Sequence, residues 1–374
     1  MIKEKRIALV GAGFRCRELL KDYSDGNICI HIVAIMDNSS SKWGEKLSNV
    51  SIIPLQNLKR HGVQEYWITS INYAEELKRD LCDKHGIEEK DIKIIRDINT
   101  FLYYRIREKY KDFIEGKKKS LNPDMNEVID YMKDNLPRMF CYHFVDDYLQ
   151  RKVDIAKDYS SGMFYVIHNG KKLFFSERYR EEEVKELYNC LCMEQDECSP
   201  HKYLGADFQL HEGDIVADIG AAEGMFVLDN IDKIKFAYLF ESDTNWIKAL
   251  NKTFMPYAEK VKIIDRYVSD VTFERKIKID DFFNDKKVDF IKMDIEGEEL
   301  PAIYGSERVL KRDNPRAVIC TYHNKDDYDK VAEYSSKLGY KITHPKGVIL
   351  CVGPWERGNP DLDFRKGVIR LEKI

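Results

Sequence analysis

Two strings carry the residue types best suited to chemistry: Asp218-Ile219-Gly220-Ala221-Ala222-Glu223-Gly224 and Asp289-Phe290-Ile291-Lys292-Met293-Asp294-Ile295-Glu296-Gly297-Glu298-Glu299-Leu300. In the first, the small residues Gly220, Ala221, Ala222 and Gly224 let the backbone come close to a ligand. The helix expected to follow offers free N–H groups to a carboxylate. Asp218 or Glu223 could meet an ammonium group, directly or through one water. Further on, Leu239-Phe240-Glu241-Ser242 puts Glu241 where an acid accepts hydrogen bonds from both hydroxyls of a ribose, with Ser242 beside it. Asp270, in Val268-Ser269-Asp270, can accept from an adenine amino group. A nucleoside bearing an amino-acid tail matches this set, and S-adenosylmethionine is such a molecule. A nicotinamide dinucleotide fits less well, because its pyrophosphate favours glycine where Ala222 stands and is a poor neighbour for carboxylates at 218 and 223.

In the second string Lys292 and Asp294 alternate with apolar residues, so both point to one face of a strand. Asp294, Glu296 and Glu298 then crowd the mouth of the same site. A hydroxyl that is to attack an activated methyl group is helped by a base. Asp294 is the first candidate, and His323, in Cys320-Thr321-Tyr322-His323-Asn324, is the second. Lys292, Glu296 and His201 are the expected contacts to the acceptor substrate. Asp294, Glu296 and Glu298 could share a divalent ion, but acids also suit the start of a helix for its dipole alone, and no metal is expected. Cys190, Cys192 and Cys198 lack zinc-ligand spacing.

The elements that must position these residues can be read from apolar runs. Strands are expected at Ile215–Ile219, Phe236–Phe240, Val261–Val268, Val288–Met293, Ala317–Tyr322, Val348–Val352 and Gly367–Leu371, the last two pairing antiparallel. This is a mixed, doubly wound sheet. A hairpin is expected at Met163–His168 and Lys171–Phe175 around Asn169-Gly170, then a helix at Arg180–Met193. Earlier, strands at Arg6–Val10, His31–Met36, Ser51–Pro54, Glu65–Thr69 and Asp91–Ile95 alternate with helices at Phe14–Tyr23 and Ala74–His85, which implies a smaller parallel sheet. Its first turn, Gly11-Ala12-Gly13-Phe14-Arg15-Cys16, departs from G-x-G-x-x-G at the third glycine, and Asp37 ends the second strand. Gly11, Gly13 and Asp37 are the candidate nucleotide site there. The resulting division is a Rossmann-like domain at 1–110, a charged helical linker at 111–160, and a catalytic domain at 161–374 with its hairpin and helix lead-in at 161–205.

Asp218–Gly224, Phe240-Glu241, Ile279-Asp280-Asp281 and above all the Lys-x-Asp-x-Glu-Gly-x-Glu string from Lys292 to Glu299 resemble the FkbM family of methyltransferases. The likeness covers roughly Met163 to Gly305. Glu194-Gln195-Asp196 and Ser199-Pro200-His201-Lys202-Tyr203 resemble a lead-in found in a bacterial branch of that family. The resemblance implies a class I methyltransferase fold, Rossmann-like with a mixed doubly wound sheet, that uses S-adenosylmethionine. It commonly implies O-methylation of sugars or natural products, hence a place in bacterial polysaccharide or glycan biosynthesis. Asp243 departs from the family, where a proline is expected, and this alters the turn after Glu241. The N-terminal domain resembles the small domain preceding certain bacterial sugar acyltransferases, which handles nucleotide-sugars. Nucleotide-sugar binding and a purely structural role both remain open for it.

The whole chain sets limits on these readings. Its 374 residues allow two domains, and a net charge of -4 with 34% charged residues argues against a bulk field for nucleic acid. No run reaches the roughly 20 apolar residues of a membrane span. Nine scattered cysteines read as reduced thiols in a cytoplasm. A sugar, nucleotide-sugar or glycan is the expected partner, and the sequence allows homo-oligomers. The competing readings are a nucleotide-sensing or scaffold protein with degenerate pockets, a methyltransferase of a non-sugar metabolite, and a nicotinamide-dependent sugar oxidoreductase. The last lacks a Tyr-x-x-x-Lys pair near the N-terminal fold.

Overall fold

Short β-branched and aromatic runs alternating with amphipathic segments build two separate sheets. The computed structural model describes residues 5–23, 30–60, 62–120, 122–149, 151–351 and 363–373. The chain divides into two compact units. One comprises Met1–Asn122, Asn126–Cys141 and Cys351–Asp363, the other Pro123–Met125, Tyr142–Leu350 and Phe364–Ile374.

In the first unit β1 (Lys5–Val10), α1 (Phe14–Leu20), β2 (Ile30–Met36), β3 (Lys46–Leu47), β4 (Val50–Ile53), β5 (Glu65–Ile68), α2 (Ala74–Asp83) and β6 (Ile92–Ile94) follow one another. They form a sheet of order β3-β4-β2-β1-β5-β6. Every pairing is parallel except the short β3–β4 edge. Alternation along β1 sends Ile7 and Leu9 into one core with Trp67 and Phe101, and Ala8 and Val10 into another with Tyr66 and Leu81. Both faces of the sheet are therefore covered. Next come α3 (Thr100–Lys109), α4 (Lys111–Ile114) and α5 (Met125–Asp134).

The segment 111–160, expected as a linker, is instead divided between the two units. Its charge hides apolar positions that need burial: Val128, Tyr131, Met132, Phe140 and Cys141 are each no more than 1% exposed. Tyr142–Leu350 belongs to the second unit.

That unit opens with α6 (Val145–Leu149) and the antiparallel strands β7 (Ile155–Lys157), β8 (Phe164–His168) and β9 (Lys171–Phe174). The hairpin turns on Asn169 and Gly170, with φ of 48° and 78°, as the two-residue turn that matches strand twist requires. In α7 (Glu181–Glu194), the Glu183 carboxylate accepts the Arg180 N–H at 2.8 Å and caps the first turn.

The large sheet is built from β10 (Ile215–Ile219), α8 (Met225–Asn230), β11 (Phe236–Glu241), α9 (Thr244–Phe254) and β12 (Val261–Asp265). The chain continues through β13 (Tyr267–Val268), β14 (Lys276–Ile277), α10 (Ile279–Phe282), β15 (Phe290–Met293), α11 (Glu299–Tyr304), α12 (Glu307–Asp313), β16 (Arg316–Cys320), α13 (Asp327–Lys337), β17 (Tyr340–Thr343), β18 (Ile349–Leu350), β19 (Phe364–Arg365) and β20 (Val368–Lys373). Its order is β12-β11-β10-β15-β16-β20-β17, with β20 antiparallel to both neighbours. This is the mixed sheet of the class I methyltransferase fold.

Three expectations need correction. Val348–Val352 does not pair with Gly367–Leu371. Ile349–Leu350 pairs with Phe364–Arg365, and β20 pairs with β16 and β17. The strand β17 was not anticipated; its pattern Tyr-Lys-Ile-Thr is short, and only Tyr340 is fully buried. Val261–Val268 is not one strand. Arg266 separates β12 from β13, and β13 pairs with β14 outside the main sheet. Val352 lies outside the described residues.

Register fixes the site. Ile219 stands opposite Phe240 and Met293, and Met293 opposite Ile319. The next residue on each strand is Gly220, Glu241, Asp294 and Cys320. They therefore form a row along the carboxyl edge of the sheet, where ligands bind in such folds.

Candidate active site

The turn after β10 brings two strand ends into contact. Gly220 has φ of +78°, and a Cβ placed on it would lie 1.9 Å from the Asp294 carbonyl oxygen. Only glycine supplies both the left-handed backbone and this approach. Its N–H donates to the Phe240 carbonyl at 2.9 Å, as does that of Ala221 at 3.1 Å. Ala222 is also left-handed, at φ 46°, and Gly224 caps α8.

Lys292 fastens the turn from below. Its Nζ donates to the Gly220 carbonyl at 2.6 Å and lies 3.1 Å from Asp218 Oδ1. Asp218 is 0% exposed and Lys292 5%. Burial opposes the charge on Lys292, but Asp218 and Asp294 outweigh it and raise the pKa. Asp218 lines neither cavity, whereas Lys292 holds the turn and also lines the second cavity.

Glu241 ties the same turn to β11. One carboxylate oxygen accepts the Ala222 N–H at 2.9 Å, and the other accepts those of Ser242 at 2.7 Å and Asp243 at 2.8 Å. A carboxylate offers roughly four acceptor positions, so Glu241 keeps room for about one further donor. Asp243, in place of the expected proline, caps α9 by accepting the Asn245 N–H at 2.8 Å.

Two cavities meet at this row. The first, about 470 Å³, is lined by Glu241, Ser242, Trp246, Val268, Ser269 and Glu298 among others. The second, about 540 Å³, is lined by Glu194, Gln195, Tyr203, Ala221, Glu223, Phe226 and Lys292 among others. Gly220, Ala222, Trp246, Asp294 and Glu296 belong to both walls. Asp270 lines neither: the break at Arg266 moves it past the end of the main sheet, and it accepts the Ser269 hydroxyl at 3.2 Å.

Acids dominate the second cavity. Burial, with the charges of Asp294 and Glu223, pushes Glu194 up to about 8. Burial likewise pushes Glu223 up to about 7. Asp294 responds differently. Burial pushes it up, but Lys292, His201 and His323, with the Tyr203 hydroxyl that donates to Oδ2 at 2.9 Å, hold its pKa below the ordinary value.

His323 stands behind Asp294 at 3% exposure and lines neither cavity. Its Nδ1 is 3.0 Å from Glu299 Oε1, and its Nε2 is 3.7 Å from Asp294 Oδ1 and 3.5 Å from Glu296 Oε2. Burial would lower its pKa, but the Glu299 contact and the surrounding carboxylates raise it. His201 is 1% exposed and packs between Tyr203 and Tyr322, with ring centroids 5.2 Å from each. Burial lowers its pKa to about 4. It lines neither cavity.

Sequence reasoning missed Tyr203, Glu299 and Glu194 as site residues. Glu299 carried a signal: it lies four residues after Ile295, whose N–H it accepts at 2.9 Å, so the acid string folds back on itself. Cys190, Cys192 and Cys198 do not converge. Among the described residues, the groupings that could hold a metal ion are Asp294, Glu299 and His323, and His201, Asp294 and Cys320.

In the first unit Gly11 packs against Ser70, and Gly13 caps α1. Asp37 accepts the N–H groups of Ala12 and Ser39, both at 2.8 Å, and pairs with Lys42 at 2.9 Å. Burial raises its pKa, but these partners lower it further. The carboxylate of the expected nucleotide site is thus engaged within the chain.

Comparison with known proteins agrees with the second unit. Residues 200–342 match the family model described as the methyltransferase FkbM domain. No curated protein matches the chain. Among solved structures, the methyltransferase FkbM of Methylobacillus flagellatus KT is 18% identical, covers 99% of this chain and 90% of its own, and has a TM-score of 0.42. A precorrin-6y C5,15-methyltransferase of Geobacter metallireducens GS-15 is 14% identical, with 43% and 80% covered and a TM-score of 0.30. A putative RNA methyltransferase of Pyrococcus horikoshii is 18% identical, with 44% and 76% covered and a TM-score of 0.29. The match to the methyltransferase FkbM domain over residues 200–342 takes in the Lys292–Glu299 string and the strands that place it at the sheet edge.

Proposed function

We propose that this methyltransferase uses S-adenosylmethionine to methylate a hydroxyl of a sugar, nucleotide-sugar or glycan, in bacterial polysaccharide, glycan or natural-product biosynthesis. The observation that carries the reading is the pair of cavities meeting at Gly220 and Asp294, with Glu241 on one side and Glu194 and Glu223 on the other. Carboxylates whose ionisation is suppressed by burial and by one another suit a cationic ligand. The ribose fits at Glu241, the adenine beside Trp246, Val268 and Ser269, and the amino-acid tail toward Glu223 and Glu194. Bound in this way, S-adenosylmethionine supplies an electrophilic methyl group at the junction.

The protein's own residues do the rest. Lys292 and Gly220 fix the junction, and Tyr203 orients the Asp294 carboxylate. Asp294 accepts the proton of the acceptor hydroxyl, and the His323 ring, 3.7 Å from its other oxygen, helps to keep it ionised. Positioning of this kind accounts for much of the rate in such transfers. A polyhydroxylated acceptor is favoured by the polar wall of the second cavity. There Gln195 Nε2 is buried without a hydrogen-bond partner and can donate to a substrate oxygen.

The test is incubation of the protein with S-adenosylmethionine and a panel of nucleotide-sugars and glycans, read by mass spectrometry. Gain of one methyl group on a sugar is expected. Methyl transfer confined to amines or to non-sugar metabolites would overturn the acceptor assignment, and absence of cofactor binding by calorimetry would overturn the whole reading.

A further inference from the structure

The second cavity holds more acid than the chain itself neutralises. Each basic residue of its wall is paired with an acid that does not line it. Arg178 pairs with Asp243 at 2.6 Å, Lys202 with Glu197 at 2.8 Å and Lys292 with Asp218 at 3.1 Å. Asp229 on the same wall is engaged by His168 at 2.7 Å and Asn169 at 2.8 Å. Glu194, Glu223, Asp294 and Glu296 are left. One imidazole faces the last two: His323 Nε2 lies 3.7 Å from Asp294 Oδ1 and 3.5 Å from Glu296 Oε2. Glu299, fully buried, lies 3.0 Å from the Nδ1 of the same ring. Nearby positive charge is thus matched before the four cavity acids are counted. Burial, and then the charges of Asp294, Glu223 and Glu296, raise the pKa of Glu194, so these acids act on one another. Beside them Gln195 Nε2 is buried without a hydrogen-bond partner, and Tyr203, Tyr322 and Trp246 line the wall. Aromatic faces attract cations.

S-adenosylmethionine answers only part of this excess, because its sulfonium and ammonium charges are offset by its own carboxylate. We propose that the acceptor is an amino sugar, its ammonium group held by Glu194 and Glu296 while a hydroxyl of the same molecule meets Asp294. Gln195 Nε2 donates to another oxygen of that sugar. In the transfer the hydroxyl oxygen bonds to the methyl carbon and the carbon–sulfur bond breaks with its electron pair on sulfur. The hydroxyl proton passes to Asp294. An ammonium group has no free electron pair, so the nitrogen held in this way is not the nucleophile. The acidic wall also opposes a diphosphate, which disfavours a nucleotide-sugar as the acceptor. Naming the acceptor rests on the methyltransferase reading above; the preference of the cavity for a cation does not.

The experiment is calorimetric titration of the full-length protein at neutral pH, with and without S-adenosylhomocysteine. The probes are methyl glycosides of glucosamine and galactosamine, of their N-acetyl forms, and of glucose and galactose, together with UDP-glucose. At least one amino glycoside should bind about tenfold or more tightly than its N-acetyl and neutral counterparts, the scale of a close charge pair. Added salt should reduce that preference. Glu296→Gln, on a side chain 79% exposed, and Glu194→Gln should each reduce it as well. Unfolding midpoints identify a variant that does not fold, and Glu296→Gln keeps the test open if Glu194→Gln fails. Equal affinity for amino and N-acetyl glycosides, tighter binding of UDP-glucose, or a preference unchanged in the folded variants overturns the inference. The same panel with S-adenosylmethionine, read by mass spectrometry, separates the inference from the function. Methyl transfer to neutral sugars as fast as to amino sugars removes the inference and leaves the function standing. Selective binding of amino sugars with no methyl transfer does the reverse. Methyl transfer to nitrogen alone overturns both.

Discussion

The Asp218–Lys292 pair shows how one buried charge can serve a loop rather than a substrate. Lys292 donates to the Gly220 carbonyl and forms an ion pair with an acid that is 0% exposed. Lys292→Met should cost about 3–5 kcal/mol in urea unfolding, because Asp218 is left buried with its charge uncompensated. A loss below about 1 kcal/mol would mean that Asp218 takes up a proton instead. The double change Lys292→Met with Asp218→Asn should recover part of the loss. Asp294 and Glu241 separate chemistry from binding. Asp294→Asn should abolish turnover while cofactor affinity stays within about threefold; near-normal turnover would remove Asp294 from the reaction. Glu241→Ala should weaken cofactor binding tenfold or more, about 1.4 kcal/mol, because three backbone N–H groups lose their acceptor as well as the ribose. Calorimetry decides it, and unchanged affinity would end the ribose assignment.

At the level of elements, the site is a contact between two strand ends, and Gly220 is where they touch. Gly220→Ala must move Asp294 or abandon the left-handed turn, since the clash is with backbone rather than a flexible side chain. We expect a loss of about 2 kcal/mol or more in stability, together with loss of both cofactor binding and turnover. Retained binding with lost turnover would mean that only Asp294 had shifted. Much of this level was legible in the sequence. Strands buried on both faces are continuous apolar runs, so β10, β11, β15 and β16 stood out, and the glycine turn and acids at their ends could be placed. What escaped detection was set by distance in sequence. β17 is short and half-exposed, and its place is decided by pairing with β20, which the local pattern does not encode. Asp270 was misplaced because a one-residue break at Arg266 changes sheets without changing the apolar pattern. His201 and His323 looked alike as loop histidines. Their opposite pKa shifts come from burial and from neighbours remote in sequence: burial, His323 and Lys292 lower the one, and Glu299, Asp294 and Glu296 outweigh burial at the other.

At the scale of the whole molecule these buried groups make stability depend on pH in a defined direction. Glu194 and Glu223 have folded-state pKa values raised to about 8 and about 7. The folded chain therefore holds more protons than the unfolded chain above the ordinary glutamate value. The stability they contribute is complete below about pH 4.3 and is lost as pH rises through 7 and 8. His201, lowered to about 4, acts in the other sense. Its contribution is complete above about pH 6.5 and is lost as pH falls toward 4. Between about pH 6 and about pH 8.5 the two glutamates prevail, so the unfolding temperature should fall across that window. Glu194→Gln should flatten the fall, because the amide has no proton to lose. A cationic ligand should restore stability most at the alkaline end, where both carboxylates are ionised and their repulsion is largest. Thermal unfolding with and without S-adenosylmethionine at the two ends of the window tests all three statements. An unfolding temperature that rises with pH, or a ligand effect larger at the acidic end, would place the ionisation of these glutamates outside the ligand's reach.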